Sequence, residues 1–334
     1  MLTPDDLSRL AGRLPVCVVV GAVVDVIADA YSLPHRGSDI ELHQQGINVG
    51  GCALNVAIAL HRLGIPSINA LTLGNGIWAS IVRQKLAEYG VQSVLENAHG
   101  DNCWCLALVE PDGERTFLSV SGVENQWDAA LLRTLPQPAQ RWIYLSGYQL
   151  TSKSGEVLID WLEQQAPPFQ LLVDFGPRLA DIGEAQFARI MALHPLITVN
   201  RQEAELWHER LRASEPFDAH QLMARWQQQF EGAMVLRLDS EGAGYIDADA
   251  QGWVPALATT VVDTIGAGDS YAGGLLGGIS VRLVTGGERC AGQRSGIVCG
   301  FPARRRLCAR SRHTGSLLAA TSYSAINTYI SLRQ

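Results

Sequence analysis

Val16-Cys-Val-Val-Val-Gly-Ala-Val-Val24 is an unbroken apolar run, rich in β-branched residues, that stops at Asp25. A half-buried strand alternates apolar and polar side chains, so this run fits a strand covered on both faces, as in a parallel sheet. It is too short to cross a bilayer as a helix, which needs about 20 residues. Similar runs recur at 68–73, 142–146, 171–174, 196–200 and 234–238, and helical spacing of apolar residues falls at 53–63, 78–89, 155–165, 184–192 and 218–230. Strands alternating with helices of this length predict βαβ units and a doubly wound, mostly parallel sheet. Two stretches break the rhythm: 39–49 reads as an extended piece, and 104–120 as a hairpin around the turn Glu110-Pro-Asp-Gly-Glu114. Inserted antiparallel strands of this kind suit a small sheet that projects from the main one and covers a ligand.

The 334 residues, 47% hydrophobic and 18% charged, exclude disorder, collagen-like repeats and a coiled coil as the main architecture. They allow one large domain or two moderate ones, and no Gly/Ser linker marks a boundary. The seven Cys at 17, 52, 103, 105, 290, 299 and 308 are odd in number and show no C-x-x-C spacing, against a disulfide scaffold or a zinc ribbon. With an N-terminus that lacks a basic leader, the expectation is a cytoplasmic protein. Residues 1–279 hold 17 basic and 32 acidic side chains, a net of −15, which repels nucleic acid.

The chemistry concentrates in Val261-Val-Asp-Thr-Ile-Gly-Ala-Gly-Asp269, followed by a run of small residues. A β-branched stretch enters a glycine turn that opens a helix, and the free N–H groups of 266–269 would face an anion. A carboxylate there is repelled by phosphate unless it accepts a proton from an attacking hydroxyl. The alternative is a plain strand-to-helix turn capped by Asp269. In Asn48-Val-Gly-Gly-Cys-Ala-Leu-Asn55, Gly50 and Gly51 let backbone approach a ligand and Asn55 offers a donor and an acceptor to a polyol; taken alone, a glycine-rich helix start explains them better. Asp25 stands at the end of the first buried run, where α/β proteins place ligand-binding side chains, or where a carboxylate caps a loop. Asn200-Arg-Gln-Glu203 suits either a hydrated Mg²⁺ or a capping box. No G-x-G-x-x-G follows the first strand, which disfavours an NAD-dependent dehydrogenase.

Asp25, Gly50-Gly51, Asn55, Asn200-x-x-Glu203 and Asp263-Thr-x-Gly-Ala-Gly-Asp269 occur in the order and approximate spacing of the ribokinase-like (PfkB-type) carbohydrate kinases, which the chain resembles over about residues 16–279. The resemblance implies a three-layer αβα sandwich with a β-sheet lid from strands about 31–49 and 103–121, in a kinase domain of residues 1–279. It implies ATP as phosphoryl donor with Mg²⁺, a monovalent cation such as K⁺, and a sugar or nucleoside as acceptor. Matched by position, Asp269 is the base and Gly266, Ala267 and Gly268 the anion hole, while Asp25, Gly50, Gly51 and Asn55 hold acceptor hydroxyls. Asn200 and Glu203 serve Mg²⁺, through water, and the phosphates; Asp263 and Thr264 border nucleotide and the monovalent cation. By looser analogy Arg178 lies near the phosphates, and Asp239 and Gly242 touch nucleotide. A homodimer through the lid is expected, with no nucleic-acid or membrane partner. The readings that compete with a sugar kinase are a nucleoside kinase, with Trp104 or Tyr148 stacked on a base, and a ligand-binding pseudokinase.

After Gly278 the resemblance stops. Residues 280–334 hold nine Arg, no Lys and one Glu, a net of +8. A shifted reading frame explains this composition; a genuine basic tail for RNA or a membrane surface is the other explanation, and lacks the aromatic interleaving or amphipathic repeat it would need. The charge must be solvated, and glycines at 286, 287, 292, 296 and 300 with Pro302 interrupt any long helix. Limited trypsin digestion is therefore expected to cut first between Arg304 and Arg312, with the body intact; resistance there would mean a folded tail.

Overall fold

The computed structural model describes residues 14–19, 21–165, 168–211, 216–248, 250–256 and 266–280. The strands are β1 (Val16–Val19), β2 (Val23–Asp29), β3 (His43–Gly50), β4 (Ser67–Ala70), β5 (Trp104–Val109), β6 (Arg115–Val120), β7 (Arg141–Ser146), β8 (Phe169–Asp174), β9 (Leu196–Asn200), β10 (Met234–Arg237), β11 (Ala243–Ile246) and β12 (Gln251–Val254). The helices are α1 (Cys52–Arg62), α2 (Ile77–Glu88), α3 (Ala129–Arg133), α4 (Gly147–Leu150), α5 (Gly155–Glu163), α6 (Glu184–Met191), α7 (Arg201–Arg210), α8 (Ala219–Phe230) and α9 (Ala267–Ile279). One sheet runs β12-β11-β10-β9-β8-β7-β1-β4, and a second, smaller one runs β3-β2-β5-β6. From β10 to β4 every pairing in the main sheet is parallel, and β11 and β12 extend its edge antiparallel.

The apolar strands explain the layering. Val18, Tyr144, Leu172 and Val235 face one side, against Leu54 and Leu60 of α1, Val82 of α2 and Leu275 and Leu276 of α9. Their neighbours Val19, Ile143, Val173 and Leu236 face the other side, against α5, α6, α7 and α8. There Trp207 sits among Phe175, Phe187, Trp226 and Phe230, with ring centroids 4.8–6.0 Å away. This is the expected αβα sandwich with a mostly parallel sheet and a small second sheet.

The run that begins at Val16 is not one strand. Its first part is β1, in the core; from Val23 the chain forms β2, a central strand of the small sheet. The crossing is at Gly21, where an added Cβ would lie 2.3 Å from the Cβ of Glu124, so only glycine fits. Asp25 therefore lies in the lid and not at the end of the first core strand, and the lid starts earlier than residue 31. The sequence reading also missed β11 and β12, whose short, glycine-bearing segments carry little periodic signal.

Glu124 fastens this junction. Its carboxylate is 1% exposed and accepts hydrogen bonds from the amides of Cys103 (2.9 Å) and Gly122 (3.0 Å), at the start of β5 and just past the end of β6. Replacing it with Ala would strand two buried donors, at a cost of about 1–3 kcal/mol for each group left unsatisfied. Urea unfolding should thus show Glu124→Ala at least about 2 kcal/mol less stable than wild type, with Glu124→Gln, which keeps one acceptor oxygen, in between.

Candidate active site

The parallel strands all end at one edge, which is where open α/β sheets bind ligands. Asp174 ends β8, Asn200 ends β9, Arg237 ends β10, and Arg237 is in register with Asn200. Above this edge α9 begins at Gly266, which has φ +70° and no capping side chain. The first amides of a helix have no partner within it, and no side chain caps this one, so those of Ala267, Gly268 and Asp269 suit an anion.

Close packing of α9 on α1 sets the geometry. A Cβ on Gly273 would fall 2.5 Å from the Cβ of Ala59, and one on Gly277 would fall 3.1 Å from Leu63. Their absence lets the two helices approach until Asn55, in the first turn of α1, donates through Nδ2 to Asp269 Oδ2 at 2.8 Å. Asp269 thus does not cap its helix; Gly266 holds the cap position and the carboxylate points to Asn55. Burial pushes the Asp269 carboxyl above the usual carboxylate range, against the pull of the Asn55 amide; Asp174 adds to the rise, and the Cys52 thiol and Arg237 oppose it. The thiol of Cys52, pushed up by burial and by Asp269, is a neighbour that the sequence reading did not single out.

The lid brings Asp25 in from another side. Asn48, Asp25, Cys105 and Ser119 are side by side across all four strands, and side chains in register share a face. Gly50 lies against the carboxylate: a Cβ there would be 3.5 Å from Asp25 Oδ2. Gly51, at φ +106°, caps α1 and lies on the crossing, with Gly21 O at 3.1 Å from its would-be Cβ. Burial raises the Asp25 carboxyl as well.

Asn200 and Glu203 form a capping box. Glu203 accepts from the Asn200 amide and from its Nδ2, both at 2.8 Å, while Asn200 Oδ1 accepts the Glu203 amide at 2.9 Å. With both carboxylate oxygens engaged, this pair fits Mg²⁺ only through water. Glu203 also faces Arg237, as Asp174 does, at 3.7 and 3.8 Å. Arg237 and Asp174 were missed as site residues; the signal was a charged residue closing an otherwise apolar strand. Arg178 follows β8, with its guanidinium 5.1 Å over the Tyr148 ring and 3.1 Å from Asp181. Asp239 and Gly242 flank the turn between β10 and β11, and Asp239 is 3.8 Å from Arg201. No hydrogen bond or ion pair ties that turn to Asp269 among the described residues. Asp263 and Thr264 lie outside the described residues, as does the tail beyond 280.

A family model described as pfkB family carbohydrate kinase matches residues 15–286. The uncharacterised sugar kinase YegV of Escherichia coli K12 is 55% identical over 279 residues, 83% of this chain and 85% of that protein. Two solved structures share the fold. A Thermotoga maritima ribokinase has a TM-score of 0.69 at 13% identity, covering 96% of this chain and 100% of its own. A Vibrio cholerae O395 fructokinase with fructose, ADP and calcium ion bound has a TM-score of 0.66 at 19% identity, covering 94% and 91%. Among the described residues no helix is long and apolar enough to cross a membrane.

The raised Asp269 carboxyl has a cost in stability. Its folded pKa exceeds its unfolded value of about 3.9, so its contribution is whole below that pH and is lost as pH rises through the folded value. Asp269→Asn, neutral and of the same shape, should melt at a higher temperature than wild type at pH 8, and the gap should close towards pH 4. Equal melting at both pH values would mean that the carboxylate is not stripped of water.

Proposed function

The chain belongs to the pfkB family of carbohydrate kinases, and from that membership we propose that it phosphorylates a hydroxyl of a sugar or related polyol with ATP, Asp269 acting as the base. The observation that carries this reading is a half-buried carboxylate, fixed by Asn55, in the first turn of a helix whose leading amides have no partner within the helix. Base and anion hole are then one local structure. ATP supplies the phosphoryl group; Asp269 takes the proton of the acceptor hydroxyl, and the amides at Gly266–Gly268 face the charge that develops. A pKa raised by burial makes Asp269 a stronger proton acceptor than an exposed carboxylate. Asn55 holds the carboxylate in one orientation, and Asp25, beside Gly50, offers partners to the acceptor's other hydroxyls. Asn200 and Glu203 would hold Mg²⁺ through water, where the ion would offset the charge of the phosphates.

The fructokinase with fructose and ADP bound supports a sugar beside a nucleotide on this fold. A nucleoside acceptor is less well supported, because both aromatic candidates are already engaged. Trp104 stacks on Trp78 with centroids 5.1 Å apart and planes 17° from parallel, and Arg178 covers Tyr148. Lid homodimerisation rests on Ile47, Leu118 and Val120, which are about half exposed on the lid face opposite Asp25. The domain reading, a kinase domain to residue 279 and a separate basic segment after it, rests on composition.

A thermal-shift screen of sugars and nucleosides with a non-hydrolysable ATP analogue identifies the acceptor, because ligand binding raises apparent stability. With that acceptor, Asp269→Asn should lower turnover by about 10²–10⁴, measured as ADP release, while calorimetry finds acceptor affinity within a few-fold of wild type. Near-normal turnover would remove Asp269 as the base, and no turnover by wild type with any acceptor would favour a ligand-binding pseudokinase.

A further inference from the structure

Arg237 ends a strand whose other residues, Met234, Val235 and Leu236, are fully buried. Taking a guanidinium out of water costs several kcal/mol unless its charge and its donors are both met. Its charge is met: Nη2 lies 3.8 Å from Asp174 Oδ2 and 3.7 Å from Glu203 Oε2. Its donors are not. Both distances exceed hydrogen-bond length, and Nε is buried with no hydrogen-bond partner among the described residues. The carboxylates are partly engaged elsewhere: Asp174 Oδ1 accepts the Gly176 amide at 3.1 Å, and both oxygens of Glu203 accept from Asn200. A structural arginine usually closes two short parallel bonds to a carboxylate; this fork, with five donors, closes none to either one.

The other side of the fork explains what it awaits. Nη1 lies 2.6 Å from where a Cβ on Gly268 would be, so the guanidinium lies against the first turn of α9. A helix N-terminus carries partial positive charge, and a cation beside it is disfavoured. The group that relieves both is an anion with several acceptor oxygens. The side chain also keeps 14% of its exposure and is not sealed.

We propose that Arg237 is a phosphate-binding residue, a side-chain donor that works with the backbone amides of Gly266–Gly268 to hold the polyphosphate of the nucleotide. This rests on the kinase reading of that site. Asp174 and Glu203 then have a distinct role, which is to balance the charge of the cation at a distance that leaves its N–H groups free for the phosphate oxygens.

Calorimetry with inorganic tripolyphosphate in the presence of Mg²⁺ tests the proposal without involving the adenine pocket or turnover. Arg237→Met should bind tripolyphosphate at least tenfold more weakly than wild type. The same loss is expected in Arg237→Met combined with Asp174→Asn, which removes one charge of each sign, keeps the local net charge and leaves one carboxylate fewer without its cation than the single variant does. If the double variant binds tripolyphosphate as wild type does, Arg237 is only a counter-ion and the proposal is overturned, whether or not the single variant folds. A wild-type chain that binds neither tripolyphosphate nor ATP overturns the kinase reading along with it; one that binds them as tightly as both variants overturns the role of Arg237 alone.

Discussion

The hydrogen bond from Asn55 to Asp269 is the constraint on which the site depends, because its two residues lie 214 positions apart in the chain. It forms only if α1 and α9 nearly touch, and the separation of packed helices is set by the side chains between them. Gly273 and Gly277 supply that closeness: a methyl at either would press into Ala59 or Leu63. Glycine in a helix interior costs about 0.5–1 kcal/mol relative to Ala, a loss that α9 accepts at several positions of its sequence AGDSYAGGLLGGI. That loss is understandable only if approach, and not helix stability, is what the position requires.

The same edge gathers an unusual amount of buried and half-buried charge. Asp174, Glu203, Asp269 and Arg237 all lie at or near the ends of parallel strands or in the first turns of helices, and burial raises all three carboxyls. Well-packed apolar residues would stabilise the fold better than such a cluster. Proteins commonly hold strained or costly groups where chemistry is done, and accept the instability. The lone cation among three carboxylates keeps them from repelling one another outright.

Much of this architecture was legible in the residue pattern. Buried β-branched runs located β7, β8, β9 and β10, and helical spacing located α1, α2, α5, α6 and α8, to within about two residues, because a strand covered on both faces leaves a continuous apolar signal, whereas α3, α4 and α7 were not marked out. The break at Gly21 was not legible: Val16 to Val24 is uniformly apolar, and it was the fit of Gly21 against Glu124, a tertiary contact, that sent the second half into the lid. In the site, the glycine turn and Asp269 stood out locally, as did Asn200 and Glu203, whose capping box is a local interaction. Arg237 and Asp174 did not, since a single charge after an apolar strand reads as the strand's end; their meaning appears only when parallel pairing brings β8, β9 and β10 to a common edge.

Moving Asp25 from the core sheet to the lid changes how the proposed recognition and the proposed chemistry are joined. Asn55 and Asp269 belong to helices packed on the core, whereas Asp25 shares its rung with Asn48, Cys105 and Ser119 on the small sheet. A polyol held by Asp25 and presented to Asp269 must therefore bridge the two sheets. The bridge is anchored at one place: Gly51, which caps α1, packs on Gly21, where the chain leaves the core for the lid. One glycine contact thus fixes both the start of the helix that carries Asn55 and the root of the strand that carries Asp25. Asp25 on the lid and Asp269 in the body are set in a common frame by backbone packing: Gly21 has no room for a side chain, and Gly51 takes a φ of +106° that side chains rarely adopt.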